Sequence, residues 1–115
     1  MFSTTTGEVA ASPRLVGLGP KWLSYRSMYY VYVLYSDTGK KLYKGFTEDL
    51  KRRLAEHNRG GVTSTKAWSP WKLLYYEVFA DKTDALREEL FLKSGKGKER
   101  LRYLLENTLK KRRGG

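Results

Sequence analysis

The stretch "LYKGFTEDLKRRLAEHN", Leu42 to Asn58, opens with strand residues and closes as an amphipathic helix. Thr47 followed by Glu48 and Asp49 predicts a helix start, with a side-chain cap and acids in the first turn; the helix runs to about Asn58 and stops at Gly60-Gly61. Leu50 and Leu54 are its apolar anchors. Continuing their i, i+3, i+4, i+7 pattern brings in Arg53 and His57, so the stripe that should meet a core carries a cation and the only histidine. These two stack one turn apart, whereas Arg52 points about 100° away, towards solvent.

Upstream, "MYYVYVLYS" (28–36) is β-branched and aromatic, as strands are, and "DTGK" supplies a tight turn with Gly39 before the partner strand "KLYKGFT". Pairing sets Ser36 opposite Lys41, Leu34 opposite Tyr43 and Tyr32 opposite Gly45, which puts Tyr32 and Tyr43 on one face. Downstream, "GGVTSTKAWSPW" (60–71) reads as a loop and "WKLLYYEVF" (71–79) as a third strand. A second helix starts at Asp81 or Thr83 and ends near "KSGKG", and a third spans about Lys98 to Leu109. The order ββαβαα predicts an α+β (mixed α/β) fold, a small three-stranded antiparallel sheet with flanking helices. We expect a flexible extension over 1–27, one domain over 28–109 and a basic tail over 110–115.

Lys and Arg number 23 against 12 acids, a formal charge of +11, so the natural counterpart is a polyanion, with nucleic acid first. The plainer reading is a solubilising surface. No cysteine is present, which excludes disulfides and thiolate metal sites, and one histidine cannot build a multi-histidine site. Any metal must rest on carboxylates and water, a donor set that suits magnesium or manganese. No apolar run approaches the ~20 residues that cross a bilayer, and residues 1–27 lack the apolar centre of a secretory signal, so a cytoplasmic protein is expected.

The second helix repeats the anomaly of the first. With Ala85 at 0°, Leu92 falls near about −20°, Glu89 near about 40°, Leu86 near about 100° and Leu90 near about 140°, while Glu88, at about 300°, is directed to solvent. Glu89 thus sits in the apolar arc. It either neutralises Arg53 or Lys93, or holds a divalent cation through one oxygen. Arg53 needs an internal carboxylate or a ligand phosphate, taken alone more often the former. His57 alone reads as a hydrogen-bonded boundary residue, and Tyr32 and Tyr43 as packing residues.

Taken together, these positions resemble a GIY-YIG nuclease domain of the small stand-alone bacterial kind, similar to the nuclease domain of nucleotide-excision repair. The resemblance runs from about Tyr29 to Asn107. "YVY" (30–32) and "YKG" (43–45) match the two tripeptides, Arg53-x-x-x-His57 matches the helix motif, and Glu89 in "ALREELFLK" matches the family glutamate. The first motif lacks its Gly and has Val for Ile, Lys44 replaces Ile in the second, and Glu88 and Leu90 stand where basic residues often flank the glutamate.

The resemblance implies a metal-dependent DNA endonuclease that leaves a 5′ phosphate and a 3′ hydroxyl, in DNA repair or processing. It implies Mg²⁺ or Mn²⁺ on Glu89 and a phosphate clamp at Arg53. Tyr32 would act on the attacking water, with Tyr43 and His57 bonding phosphate or water and His57 able to take a proton. Lys66, Lys93, Lys96, Lys98, Arg100 and Arg102, with the terminal basic run, suit sequence-independent contacts to DNA, or to RNA as a second polyanion. The rival readings are a non-catalytic nucleic-acid-binding module and a subunit activated by a partner protein.

Overall fold

Alternating apolar residues in three short strands and apolar stripes on the helices build a sheet with helices on both faces. The computed structural model describes residues 28–114; the extension expected over 1–27 lies outside them. Strands β1 (Tyr29–Ser36), β2 (Lys41–Thr47) and β3 (Trp71–Phe79) form an antiparallel sheet of order β2-β1-β3. Helix α1 (Leu50–Asn58) follows β2, and α2 (Lys82–Leu92), α3 (Gly95–Leu104) and α4 (Glu106–Gly114) follow β3. The fold class read from the sequence is the one observed, with one helix more. The third helix is broken at Leu105, and α4 carries on through Lys110, Lys111 and Arg112.

The hairpin register is the expected one: Ser36 faces Lys41, Leu34 faces Tyr43 and Tyr32 faces Gly45. In the turn, the left-handed residue is Lys40, with φ of 53°, and not Gly39. Gly39 serves a packing need, because a Cβ there would lie 2.9 Å from the Trp68 indole. The start of α1 also differs from expectation. Thr47 remains in β2 and accepts from the Asp49 N–H at 3.1 Å, while Asp49 is the N-cap and accepts from Arg52 N at 3.1 Å. Glu48 and Asp49 therefore precede the helix.

Val31 and Val33 of β1 pack under α2, α3 and α4 against Ala85, Leu92, Leu101, Leu105 and Leu109. Burial of side chains of this size contributes roughly 1.5–3 kcal/mol each. Gly97 lets α3 start hard against the end of α2, since a Cβ there would meet the Phe91 carbonyl and the Leu92 backbone. Tyr32 and Leu34 point to the opposite face, where they meet Trp71, Tyr43, Leu73 and the α1 anchors Leu50 and Leu54. A register shift between Val33 and Leu34 leaves Leu74 as the extra residue of β3. Leu73 and Tyr76, three apart, consequently share the α1 face.

Candidate active site

Tyr32, Tyr43 and His57 meet where α1 lies across the sheet. Gly45, the cross-strand partner of Tyr32, has no side chain, and the Tyr32 ring occupies the space that a Cβ would fill, with Cε1 3.0 Å from that position. The ring therefore leans over β2 towards Tyr43, at 6.2 Å between centroids, and towards His57. Its hydroxyl is 2.9 Å from His57 Nε2. Tyr43 stacks edge-on against the imidazole at 4.9 Å.

His57 is fully buried, at 0% exposure, and its Nδ1 is 2.8 Å from the hydroxyl of Thr65, a residue singled out by no periodicity because it lies in the loop before β3. Thr65 in turn donates to the Val62 carbonyl. With that hydrogen directed to Val62, Thr65 accepts from Nδ1–H, and Nε2 is left as the acceptor for the Tyr32 hydroxyl; the tautomer is assigned by these partners. Two further links fix the loop on α1. Asn58 pairs with both backbone groups of Trp71, at 2.6 and 3.1 Å, and the Trp71 indole N–H donates to the Thr65 carbonyl at 2.9 Å.

Burial lowers the pKa of His57 below its ordinary 6.5, and the nearby Arg53 cation adds to the effect. For Tyr32, burial pushes the phenol up to about 12. The Arg53 cation pulls the other way, while Tyr43 and Glu89 raise it further. Tyr32, Tyr43 and His57 are in direct contact, while Arg53 on α1 and Glu89 on α2 bear on the Tyr32 hydroxyl through their charges, in opposite directions. Arg53 is not sunk in the core. Its side chain is 36% exposed and donates to Glu56 Oε1 at 2.9 Å, which leaves the guanidinium accessible to a ligand anion.

Glu89 is shielded, with 19% of its side chain exposed, and accepts from Lys93 Nζ at 3.2 Å. Glu88 is not directed to solvent, contrary to expectation. It is half-buried and paired with Arg100 at 3.3 Å, and Arg100 also reaches Glu77 at 3.5 Å. Burial of Glu88, with Glu77 beside it, raises the Glu88 pKa. The buried arc of α2 is accordingly centred on Ala85 and Leu92 with a glutamate on either side, and Leu90, at 69% exposure, lies outside it. Lys44 projects from the face opposite Tyr43, where burial and the neighbouring Lys98 and Lys93 lower its pKa. Lys66, Lys96, Lys98 and Arg102 are exposed.

A family model described as the GIY-YIG catalytic domain matches residues 28–103. The chain belongs to the GIY-YIG family. This is a nuclease family, so the substrate class is nucleic acid and the reaction class endonucleolytic hydrolysis. Among curated relatives, the UPF0213 protein in the ldhD 5′ region of Pediococcus acidilactici is 43% identical over 82 residues, covering 69% of this chain and 83% of its own length. A UPF0213 protein of Lactiplantibacillus plantarum is 42% identical over 85 residues (71% and 83%), and one of Streptococcus agalactiae serotype V is 43% identical over 79 (68% and 89%). No solved structure matches the chain. No helix among the described residues is long and apolar enough to cross a membrane.

GIY-YIG nucleases typically use divalent metals. Among the described residues no three His, Asp or Glu side chains gather as a ready-made cage. One shielded carboxylate, Glu89, lies near enough for its charge to act on Tyr32. Such a donor fits an ion that keeps most of its waters and completes its shell from a substrate phosphate, as Mg²⁺ and Mn²⁺ do, and does not fit a zinc or calcium cage.

The Thr65 contact makes its own prediction. Thr65→Val keeps the shape but leaves a buried Nδ1–H without an acceptor, at a cost of about 1–3 kcal/mol. Thermal melting should show this loss, with Thr65→Ser close to wild type, and nitrogen NMR shifts of His57 should change in the Val variant only. Equal melting and equal shifts in the two variants would refute the assigned tautomer.

Proposed function

We propose that this protein is a divalent-metal-dependent endonuclease acting on DNA, in repair or processing, with Tyr32, Tyr43, Arg53, His57 and Glu89 as its catalytic set. The observation that carries the reading is the Tyr32 hydroxyl held on His57 Nε2, with the Arg53 charge one turn of α1 away from that imidazole. At neutral pH a phenol with a pKa of about 12 is protonated. Tyr32 therefore acts as a relay: it accepts a proton from the attacking water at its oxygen while its own proton passes to His57 Nε2. Thr65 holds the imidazole in the tautomer that can receive that proton.

Arg53 seats the scissile phosphate and stabilises the charge that builds on it as the P–O bond to the 3′ oxygen breaks. Glu89 would hold the metal, which when bound supplies Lewis-acid stabilisation of phosphate and leaving-group charge. The products are a 5′ phosphate and a 3′ hydroxyl. Tyr43, edge-on to His57, keeps the ring in place and closes it from water. Exposed Lys66, Lys96, Lys98 and Arg102 contribute backbone contacts without sequence readout, whereas Arg100 is engaged with Glu77 and Glu88.

The testing experiment is cleavage of branched, flapped, single-stranded and duplex DNA with Mg²⁺ or Mn²⁺. Arg53→Ala should lower the rate about 10²–10³-fold, the usual loss of a charge-stabilising donor, and Glu89→Ala should abolish metal-dependent cleavage. Equal rates in wild type and both variants would show a contaminating nuclease or a wrong site. Salt-sensitive binding with no turnover on any substrate would instead support a non-catalytic module.

A further inference from the structure

Beside the catalytic tyrosine the α1 face of the sheet is left uncovered. We propose that the notch between α1 and the β3 edge holds one unpaired nucleobase of a nucleic-acid strand bound to this protein. The proposal deepens the nuclease reading and rests on it. Leu50, Leu54 and Leu73 form the floor, Tyr30 and Tyr76 the walls, and the cavity measures about 520 Å³. That is within the range of small-ligand pockets.

Register places the notch on the β3 side of Tyr32, across α1 from Arg53. Tyr76 is the cross-strand partner of Tyr32 on β3, and Tyr30 precedes Tyr32 by two residues on β1, so all three rings project from one face. Because Tyr32 leans the other way, over Gly45, the space on the β3 side is open. The Tyr30 and Tyr76 rings stand 6.1 Å apart and are tilted by 53°, a corner and not a closed stack, and Tyr76 is 48% exposed. An aromatic corner of this kind offers a base a face to stack on without regard to sequence.

Charge decides which part of a nucleotide enters. Glu48 and Asp49 stand at the rim and repel a phosphate, whereas Lys51 on the same rim attracts the flanking one. What fits the apolar floor is the neutral base. Asp49 is occupied as the α1 cap. Glu48 is exposed and can accept from an amino group, which favours cytosine or adenine over thymine. Since α1 closes one side, the base enters without its pairing partner.

The test is a titration in metal-free buffer of a short single-stranded oligodeoxynucleotide carrying one 2-aminopurine, against the same strand with an abasic position. Wild type and Tyr76→Phe should quench the fluorescence and bind alike. Tyr76→Thr, a strand-compatible change at a half-exposed position checked for folding by its melting curve, should lose the quench and bind about tenfold more weakly; the abasic strand should bind wild type as weakly. A duplex that pairs the 2-aminopurine should not quench. Equal binding and quench in Tyr76→Thr, or equal quench by the duplex, would overturn the proposal. So would wild-type dimerisation that is lost in Tyr76→Thr while oligonucleotide binding is unchanged, because the notch would then be a protein interface. Absence of metal-dependent cleavage with the quench intact would overturn the nuclease reading alone. Cleavage at normal rates by Tyr76→Thr, with no quench in wild type, would overturn the base site alone.

Discussion

Tyr32→Phe should reduce kcat by about 10²–10⁴-fold, the usual worth of a positioned proton-transfer group, with little change in KM and with a stability loss of about 1–3 kcal/mol, because the buried His57 Nε2 loses its donor. The variant keeps the ring that packs between Tyr43 and Gly45 and removes only the oxygen that lies on His57 Nε2. The relay also fixes the pH dependence. Nε2 must be unprotonated to receive the proton, and the pKa of His57 is depressed below 6.5 by burial and Arg53, so the acid limb of the rate profile should fall below pH 6.5. Tyr32, pushed up to about 12, gives no alkaline limb before that point.

Stability follows the same titration. Between the depressed folded pKa of His57 and 6.5 the unfolded chain binds more protons than the native one, so the contribution of the neutral, buried ring is complete above pH 6.5 and is lost as pH falls through the folded value. Denaturant melts across this range should show the loss in wild type and not in His57→Gln. An acid limb above pH 6.5, or a Tyr32→Phe enzyme within threefold of wild type, would show that water is activated elsewhere.

The strands and the first two helices are legible because each repeats a short period, and the hairpin register follows once Ser36 is set against Lys41, whereas the break at Leu105 that divides the expected third helix in two leaves no mark in that period. What escaped the sequence is what depends on non-local geometry. The β3 bulge at Leu74 shifts strand parity, so that Leu73 and Tyr76 share a face that plain alternation would deny them. On α2 an idealised wheel placed Leu86 and Leu90 inside the apolar arc, yet the helix is rolled so that Glu88 turns in towards Arg100 and Leu90 turns out. Arg53 and His57 were visible as polar residues on an apolar stripe, and they divide differently: His57 is fully enclosed, and Arg53 remains at the rim with Glu56. Thr65 had no such signature. A loop has no period, and a threonine among Ser, Thr and Gly looks like a turn residue until the chain folds back and presents its hydroxyl to His57 Nδ1.

Gly45→Ala, a change of one methyl group, is expected to be as damaging to activity as loss of the Tyr32 hydroxyl itself. A Cβ at this position would fall on the Tyr32 ring tip and hydroxyl, so either the ring or β2 must move. β2 is paired along its whole length with β1, and Tyr32 is confined by Tyr43 and His57. The ring swings, its hydroxyl leaves Nε2, and the relay is broken. Such overpacking costs roughly 1–3 kcal/mol of stability. The strand location offsets part of this, because alanine loses less backbone freedom on folding than glycine. The expected signature is therefore a kcat loss of about 10²-fold or more in a protein that still folds. A double variant separates the two effects. In a Tyr32→Phe background, Gly45→Ala should lower the melting temperature further and leave the residual rate unchanged, since the group it displaces is already gone. If Gly45→Ala keeps wild-type turnover, Tyr32 does not act from the position over β2, and the second tripeptide keeps its glycine for backbone reasons alone.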